Sequence, residues 1–234
     1  MRKMSELRSM RMRLFHGSKN IIKFPIYGYG KKYNDYGVGF YCTENIDMAK
    51  EWAVSLEKDG YANLYELDVE DLDILNLNDK EYSTLHWLAV LLENREFETN
   101  SPLGFEAKKY IRDNFGVDYQ NKDIIIGYRA DDSYFSFAQD FINGGISYRQ
   151  LCTAMHLGEL GEQIVLKSKK SFDKIKFVGY EIALSDEWFL KRNNRDAEAR
   201  REYFDNEKNS RQKGDVYITN IIDEEMKSND ERLR

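Results

Sequence analysis

Apolar positions recur along this chain at two spacings, which together predict a mixture of strands and helices. Apolar and polar residues alternate over 64–69, which is the period of a half-buried strand. Apolar residues three or four positions apart over 45–56 predict an amphipathic helix. Similar patterns predict further strands over 13–18, 39–42, 123–128, 163–167 and 175–182, and further helices over two stretches within 80–116, over 133–141 and over 147–158. The sequence therefore predicts a domain that contains both strands and helices.

Two of the predicted helices begin at local capping signals. Ser101 is followed by Pro102, which places a capping hydroxyl before a proline in the first turn. Ser147 and Gln150 have the spacing of a capping box.

The composition changes near residue 185 and divides the chain into three predicted parts. Residues 1–12 form a polar leader, and residues 13–185 hold the predicted domain. From residue 186 onward charged residues dominate, glycine nearly vanishes, and no sustained apolar stripe returns before 216–222. We therefore interpret 186–234 as a charged, solvated, helical tail.

Length, charge and cysteine content narrow the class of protein. With 234 residues, 41% of them apolar, the chain can bury a core of its own. A net charge of −6 weighs against wrapping duplex nucleic acid by phosphate neutralisation, but it allows contact with a single nucleotide or a short RNA end.

Cys42 and Cys152 are too few for a disulfide framework or a zinc site, so we expect reduced thiols. No apolar run is long enough to span a membrane and no hydrophobic stretch precedes Leu14, so we expect a cytoplasmic protein without a membrane partner.

Three short segments hold the residues that could carry chemistry. His16-Gly17-Ser18 ends the first predicted strand, and Gly37-Val38-Gly39-Phe40-Tyr41 leads through the second. Trp52 follows on the predicted helix, and Glu162 and Gln163 begin a later strand. Each segment alone has a structural explanation, as turn glycines, core aromatic rings or a strand-end histidine. Their order along the chain is what suggests one shared site.

In this order the segments resemble a bacterial family of uncharacterised proteins within the ADP-ribosyltransferase superfamily, and more distantly the catalytic domain of poly(ADP-ribose) polymerases. Gly127–Asp132 and Gly161–Val165 add to the resemblance, which spans roughly residues 13–182. It implies an α+β fold, with a split, mostly antiparallel β-sheet core and helical insertions. It also implies NAD as the co-substrate and a reaction that needs no metal.

The resemblance implies a role in NAD binding for each motif residue. His16 and Gly17 would contact the ribose and the carboxamide. Tyr41 would pack under the nicotinamide ring, and Trp52 would cover its other face. The implied set of NAD-binding residues is His16, Gly17, Ser18, Gly39, Tyr41, Trp52 and Asp131. Asp131 also has a structural explanation, because acidic residues favour the start of a helix.

The catalytic polar residue is left open between two neighbours. Aligned on Ile164-Val165, Glu162 takes the place of the catalytic glutamate, and Gln163 would point to the opposite face of the strand. A shift of one residue would turn Gln163 to the cleft instead. A carboxylate can stabilise positive charge developing on the ribose, whereas an amide offers only its dipole. The implied catalytic set is Glu162, Gln163, Tyr41 and His16.

The implied activity is transfer of ADP-ribose from NAD to a macromolecular acceptor, as in a toxin or an anti-phage factor. An antitoxin or a regulatory protein would then be a partner. Hydrolysis of NAD, with water as the acceptor, is a second hypothesis for the same site. A non-catalytic NAD-binding module is a third. Leu160 and Gly161 leave no Glu-x-Glu pair, which speaks against the arginine-modifying toxin branch.

Overall fold

Seven strands form two β-sheets in the part of the chain that the computed structural model describes, which is 11–99, 101–130, 132–156 and 161–233. In chain order the strands are β1 (Arg11–Ser18), β2 (Phe40–Cys42), β3 (Gly60–Asp68), β4 (Ile74–Asn76), β5 (Ile124–Tyr128), β6 (Glu162–Leu166) and β7 (Ile175–Ala183). The first sheet has the order β1-β3-β7 and is antiparallel. The second has the order β2-β6-β5-β4 and is antiparallel except for the parallel pair β4–β5. The prediction of a mixed fold with mostly antiparallel strands is confirmed.

Eight α-helices lie between these strands or follow them in the same described ranges. They are α1 (Ile46–Ala53), α2 (Thr84–Asn94), α3 (Pro102–Phe115), α4 (Asp132–Ile142), α5 (Tyr148–Ala154), α6 (Lys169–Lys174), α7 (Ser185–Glu202) and α8 (Ile218–Asp223). A π-helical turn, Tyr203–Glu207, continues α7. None of the described helices has both the length and the apolar character needed to cross a membrane.

The capping signals of the sequence are confirmed, and two predicted helices are shorter than expected. The helix predicted over 147–158 ends at Ala154. The Ser101 hydroxyl accepts a hydrogen bond from the Gly104 N–H, and Ser147 forms its capping box with Gln150. The helix predicted over 45–56 ends at Ala53, because the backbone of Val54 is extended. Ala49 of α1 packs in a buried cluster with Phe15 of β1 and Ala62 of β3.

The two sheets share a hydrophobic core. Leu14 and Tyr65 from the first sheet pack in one buried cluster with Phe40, Ile124 and Ile164 from the second. A backbone bridge joins the sheets at one point, where Phe15 and Thr43 exchange hydrogen bonds of 2.7 and 2.9 Å. The carboxyl end of β1 therefore lies next to β2, which brings the first two motifs together.

The charged segment after residue 185 is helical, as predicted, but parts of it are buried in the core. Tyr203 is fully buried in the larger hydrophobic cluster and donates a 2.7 Å hydrogen bond to Asp140. Ile218, Ile221 and Leu233 belong to the same cluster. The interpretation of the segment as wholly solvated is therefore wrong. The sequence pattern does not reveal these apolar positions, because they stand singly between charged residues. The long stems of such charged side chains can also cover apolar surface.

Candidate functional site

A cleft of about 1130 Å³ opens where β1, β2 and β6 meet α1 and α7. Seven of the nine residues expected at the site line it: His16, Gly17, Ser18, Gly39, Tyr41, Trp52 and Gln163. Glu162 is exposed and does not line this cleft, and Asp131 lies outside the described residues. The three sequence motifs therefore meet in one place, although they are separated by more than a hundred residues.

His16 is held in one tautomer at the end of β1. Its Nδ1 donates a 2.7 Å hydrogen bond to the backbone carbonyl oxygen of Tyr41, and its ring packs at 4.4 Å from the Phe40 ring. A carbonyl oxygen can only accept, so Nδ1 carries the proton and Nε2 is an acceptor in the neutral ring. Burial lowers the pKa of His16 below its usual value of 6.5. The imidazole therefore offers a hydrogen-bond acceptor at neutral pH.

Gly17 brings β1 against α1. A methyl group built on Gly17 would lie 2.0 Å from the Ala49 carbonyl oxygen and 2.7 Å from the Trp52 Cβ atom. The resemblance implies that this glycine contacts the carboxamide. In the structure its missing side chain is required on the helix side, where it lets Trp52 reach the cleft.

We expect Gly17→Ala to lower the free energy of unfolding by about 1–3 kcal/mol, because the added methyl group overpacks the contact with α1. Urea denaturation followed by circular dichroism measures this change. The matched control is Gly179→Ala, since a Cβ atom at Gly179 meets nothing within 4 Å. Equal stability of both variants would contradict the packing argument.

Tyr41 presents its ring to the cleft while its hydroxyl group is used inside the protein. The hydroxyl donates a 2.6 Å hydrogen bond to the Gly37 carbonyl oxygen and accepts one from the Tyr36 N–H at 3.1 Å. Gly37 has a φ of +71°, which favours glycine. Burial raises the pKa of Tyr41, so its hydroxyl stays protonated. Its hydroxyl group is therefore engaged within the protein.

The structure shows which of the first two side chains of strand β6 faces the cleft. The Glu162 carboxylate accepts a 2.6 Å hydrogen bond from the Asn78 amide outside the cleft. Gln163 is 6% exposed and lines the cleft, and its Nε2 donates to the Asp35 carboxylate at 3.3 Å. Within the described residues its Oε1 is buried without a hydrogen-bond partner. Of the two registers left open, the structure has the one that turns Gln163 inward.

Asp35 is a residue of the cleft that the sequence motifs did not single out. It is 5% exposed, and its carboxylate accepts hydrogen bonds of 2.9 Å from Arg95 and from the Ala130 N–H. Burial raises the pKa of Asp35, while the Ala130 N–H and the two guanidinium groups of Arg95 and Arg129 act in the opposite direction. The only sequence signal was its position two residues before Gly37 of the glycine motif. Arg95 has no such signal, because it reaches Asp35 from 60 positions away.

A second unsatisfied polar atom lies on the α1 wall of the cleft. The Trp52 ring packs under the Arg129 guanidinium at 4.9 Å, and its Nε1 is buried with no partner in the described part of the chain. A buried polar group without a partner costs about 1–3 kcal/mol. The cleft thus holds one unsatisfied donor, on Trp52, and one unsatisfied acceptor, on Gln163. Both atoms belong to residues that line the cleft, although the atoms themselves are buried.

The comparison with protein families assigns the chain to one family. Residues 12–177, more than two thirds of the chain, match the family described as a protein of unknown function (DUF3990). The chain therefore belongs to that family. It matches none of the curated proteins and none of the solved structures with which it was compared.

Proposed function

We propose that this protein is an NAD-dependent ADP-ribosyltransferase, which cleaves the nicotinamide glycosidic bond and transfers ADP-ribose to a macromolecular acceptor. The observation that carries the proposal is the meeting of His16, Tyr41, Trp52 and Gln163, from four separate elements, in one large cleft. The two mostly antiparallel sheets agree with an ADP-ribosyltransferase type of fold, which is part of the proposal. The cytoplasm, which holds NAD, is the proposed place of action.

The unsatisfied atoms of the cleft suit the hydrogen-bonding groups of NAD. A carboxamide carries both a donor and an acceptor, and ribose hydroxyl groups can do both. Gln163 Oε1 and His16 Nε2 are acceptors for such hydroxyl groups, and Trp52 Nε1 is a donor. The Tyr41 ring offers an apolar face to the nicotinamide ring.

Gln163 alone is insufficient to stabilise the positive charge that develops on the ribose when the glycosidic bond breaks. Cleavage leaves positive charge on the ribose, and an amide carries no charge to balance it. The Asp35 carboxylate is hydrogen-bonded to the Gln163 amide and lines the same cleft. In the proposed reaction Asp35, which is itself paired with Arg95, orients the Gln163 amide so that the amide oxygen faces the ligand.

The experiment is to incubate the pure protein with NAD and to measure free nicotinamide, with and without bacterial lysate as a source of acceptors. We expect the protein to release nicotinamide, and we expect lysate to increase that release. We also expect NAD to raise the melting temperature, because a ligand at 100 times its Kd stabilises the folded state by about 2.7 kcal/mol. The absence of both a thermal shift and nicotinamide release would contradict the proposal.

Two alternatives are separated by the same measurements. Release that is unaffected by acceptors would identify an NAD glycohydrolase. A thermal shift without release would identify a non-catalytic NAD-binding module, which the glutamine at position 163 favours. A transferase of this kind would suit a toxin or an anti-phage factor, with an antitoxin or a regulatory protein as its partner.

A further inference from the structure

The loop formed by residues 19–33, here called the basic aromatic loop, has an unusual composition for this chain. It contains Lys19, Lys23, Lys31, Lys32, Phe24, Tyr27, Tyr29 and Tyr33. It contains no acidic residue, and none occurs anywhere from 7 to 34, although the chain has 41 in total. The net charge of −6 therefore conceals a local positive surface, and local distribution matters more than net charge for binding an anionic partner.

Three aromatic rings of this loop are largely exposed, whereas the Tyr27 ring packs against Phe172 and the backbone is anchored at Ile22. Phe24 is 84% exposed, Tyr29 83% and Tyr33 71%. The backbone of Ile22 is fixed by hydrogen bonds to the side chains of Asn63, at 2.9 Å, and Tyr65, at 2.5 Å. Exposed apolar side chains grouped on one surface mark an interaction site.

The basic aromatic loop borders the same cleft as the NAD-binding residues. Phe24, Tyr29 and Lys31 line its mouth. Arg192, Asp196 and Arg200 of α7 line it as well, so this helix adds one net positive charge. A chain that binds here would therefore pass directly over the proposed reaction centre.

We propose that the basic aromatic loop binds a single-stranded nucleic acid, which is the acceptor of ADP-ribose; the acceptor role rests on the function proposed above. Aromatic faces stack on unpaired bases, and lysines spaced between them contact the phosphates. A duplex offers no free base faces, so the surface favours single strands. A protein acceptor would match the lysines only if it were acidic, whereas every single-stranded nucleic acid carries both phosphates and free base faces.

The group transfer is balanced without a further reactant. The bond between the ribose C1′ atom and the nicotinamide nitrogen breaks, and its electron pair leaves with neutral nicotinamide. A nucleophilic nitrogen or oxygen of the nucleic acid forms the new bond to C1′ and loses its proton to solvent. One NAD is used for each ADP-ribose attached.

The test is fluorescence anisotropy with labelled single-stranded RNA and DNA of mixed sequence and about 20 nucleotides, longer than the about 4–16 nucleotides of known single-strand sites. We expect binding that weakens with salt, and weaker competition by a duplex of the same sequence. Tyr29→Ala should weaken binding about tenfold or more, through lost stacking. Lys31→Ala with Lys32→Ala should reduce the slope of log K against log salt by about 1.4, at about 0.7 for each phosphate contact.

Phe105→Ala and Lys213→Ala are the matched controls, because both side chains are exposed and lie outside the cleft. The proposal is overturned if the wild-type protein binds no oligonucleotide, if duplex competes equally, or if the loop variants bind like the controls. Loss of the NAD thermal shift in Tyr29→Ala would also overturn it, because the loop would then serve NAD itself. Oligonucleotide binding by a protein that neither binds nor cleaves NAD would instead overturn the proposed function and leave the surface as a nucleic-acid site.

Discussion

Replacement of Asp35 by alanine is expected to lower the free energy of unfolding by about 3 kcal/mol, the lower end of the range for breaking a buried ion pair. The lower end applies because the Arg95 side chain is 24% exposed and can partly regain water. The variant also removes the acceptor of the buried Ala130 N–H and the partner of the Gln163 amide. Urea denaturation at pH 7 measures the change.

Two further variants test whether the lost free energy of unfolding comes from the buried position of Asp35 or from the loss of any negative charge. Asp173→Ala breaks the exposed pair of Asp173 with Lys169, which should contribute less than about 1 kcal/mol. Asp35→Asn keeps the shape of the side chain and an acceptor oxygen, so its loss should be smaller than that of Asp35→Ala. If Asp35→Ala were no more harmful than Asp173→Ala, Asp35 would not anchor the cleft as we describe.

Local signals in the sequence account for the parts of the fold that were predicted well. The proline after Ser101 and the glutamine three residues after Ser147 act within one helical turn, so neither depends on the rest of the fold. Strand β4 and helix α6 were not predicted. They contain three and six residues, which is too short for a period to be recognised.

The composition of the site depended on contacts that the sequence pattern does not contain. Gln163 and Asp35 meet across 128 positions, and the motif alignment gave no reason to pair them. The choice between Glu162 and Gln163 depended on a one-residue register, which pairing with Gly127 and Tyr128 of β5 fixes in the structure. The contribution of α7 to the cleft was not predicted. Its cleft residues, Arg192 among them, lie in a segment interpreted as solvated surface.

Replacement of Gln163 by alanine is expected to slow nicotinamide release about 10²- to 10³-fold, the usual effect of removing one group that stabilises charge in a transition state. The variant loses the amide oxygen that is buried in the cleft, and it also disconnects Asp35 from the ligand. NAD binding should fall less, because His16, Tyr41 and Trp52 remain. Single-turnover release of nicotinamide and the NAD thermal shift are measured on the same protein.

Glu162→Gln is the matched control, because it changes the neighbouring side chain on the opposite face of β6. Its carboxylate contacts Asn78 outside the cleft, so release should stay within about twofold of the wild-type rate. Loss of release in Glu162→Gln together with normal release in Gln163→Ala would require β6 to shift by one residue in the active protein. If the wild-type protein binds NAD but releases no nicotinamide even with lysate, the glutamine marks a site that has kept binding without chemistry, because the charge that the reaction needs is absent from the position facing the ribose.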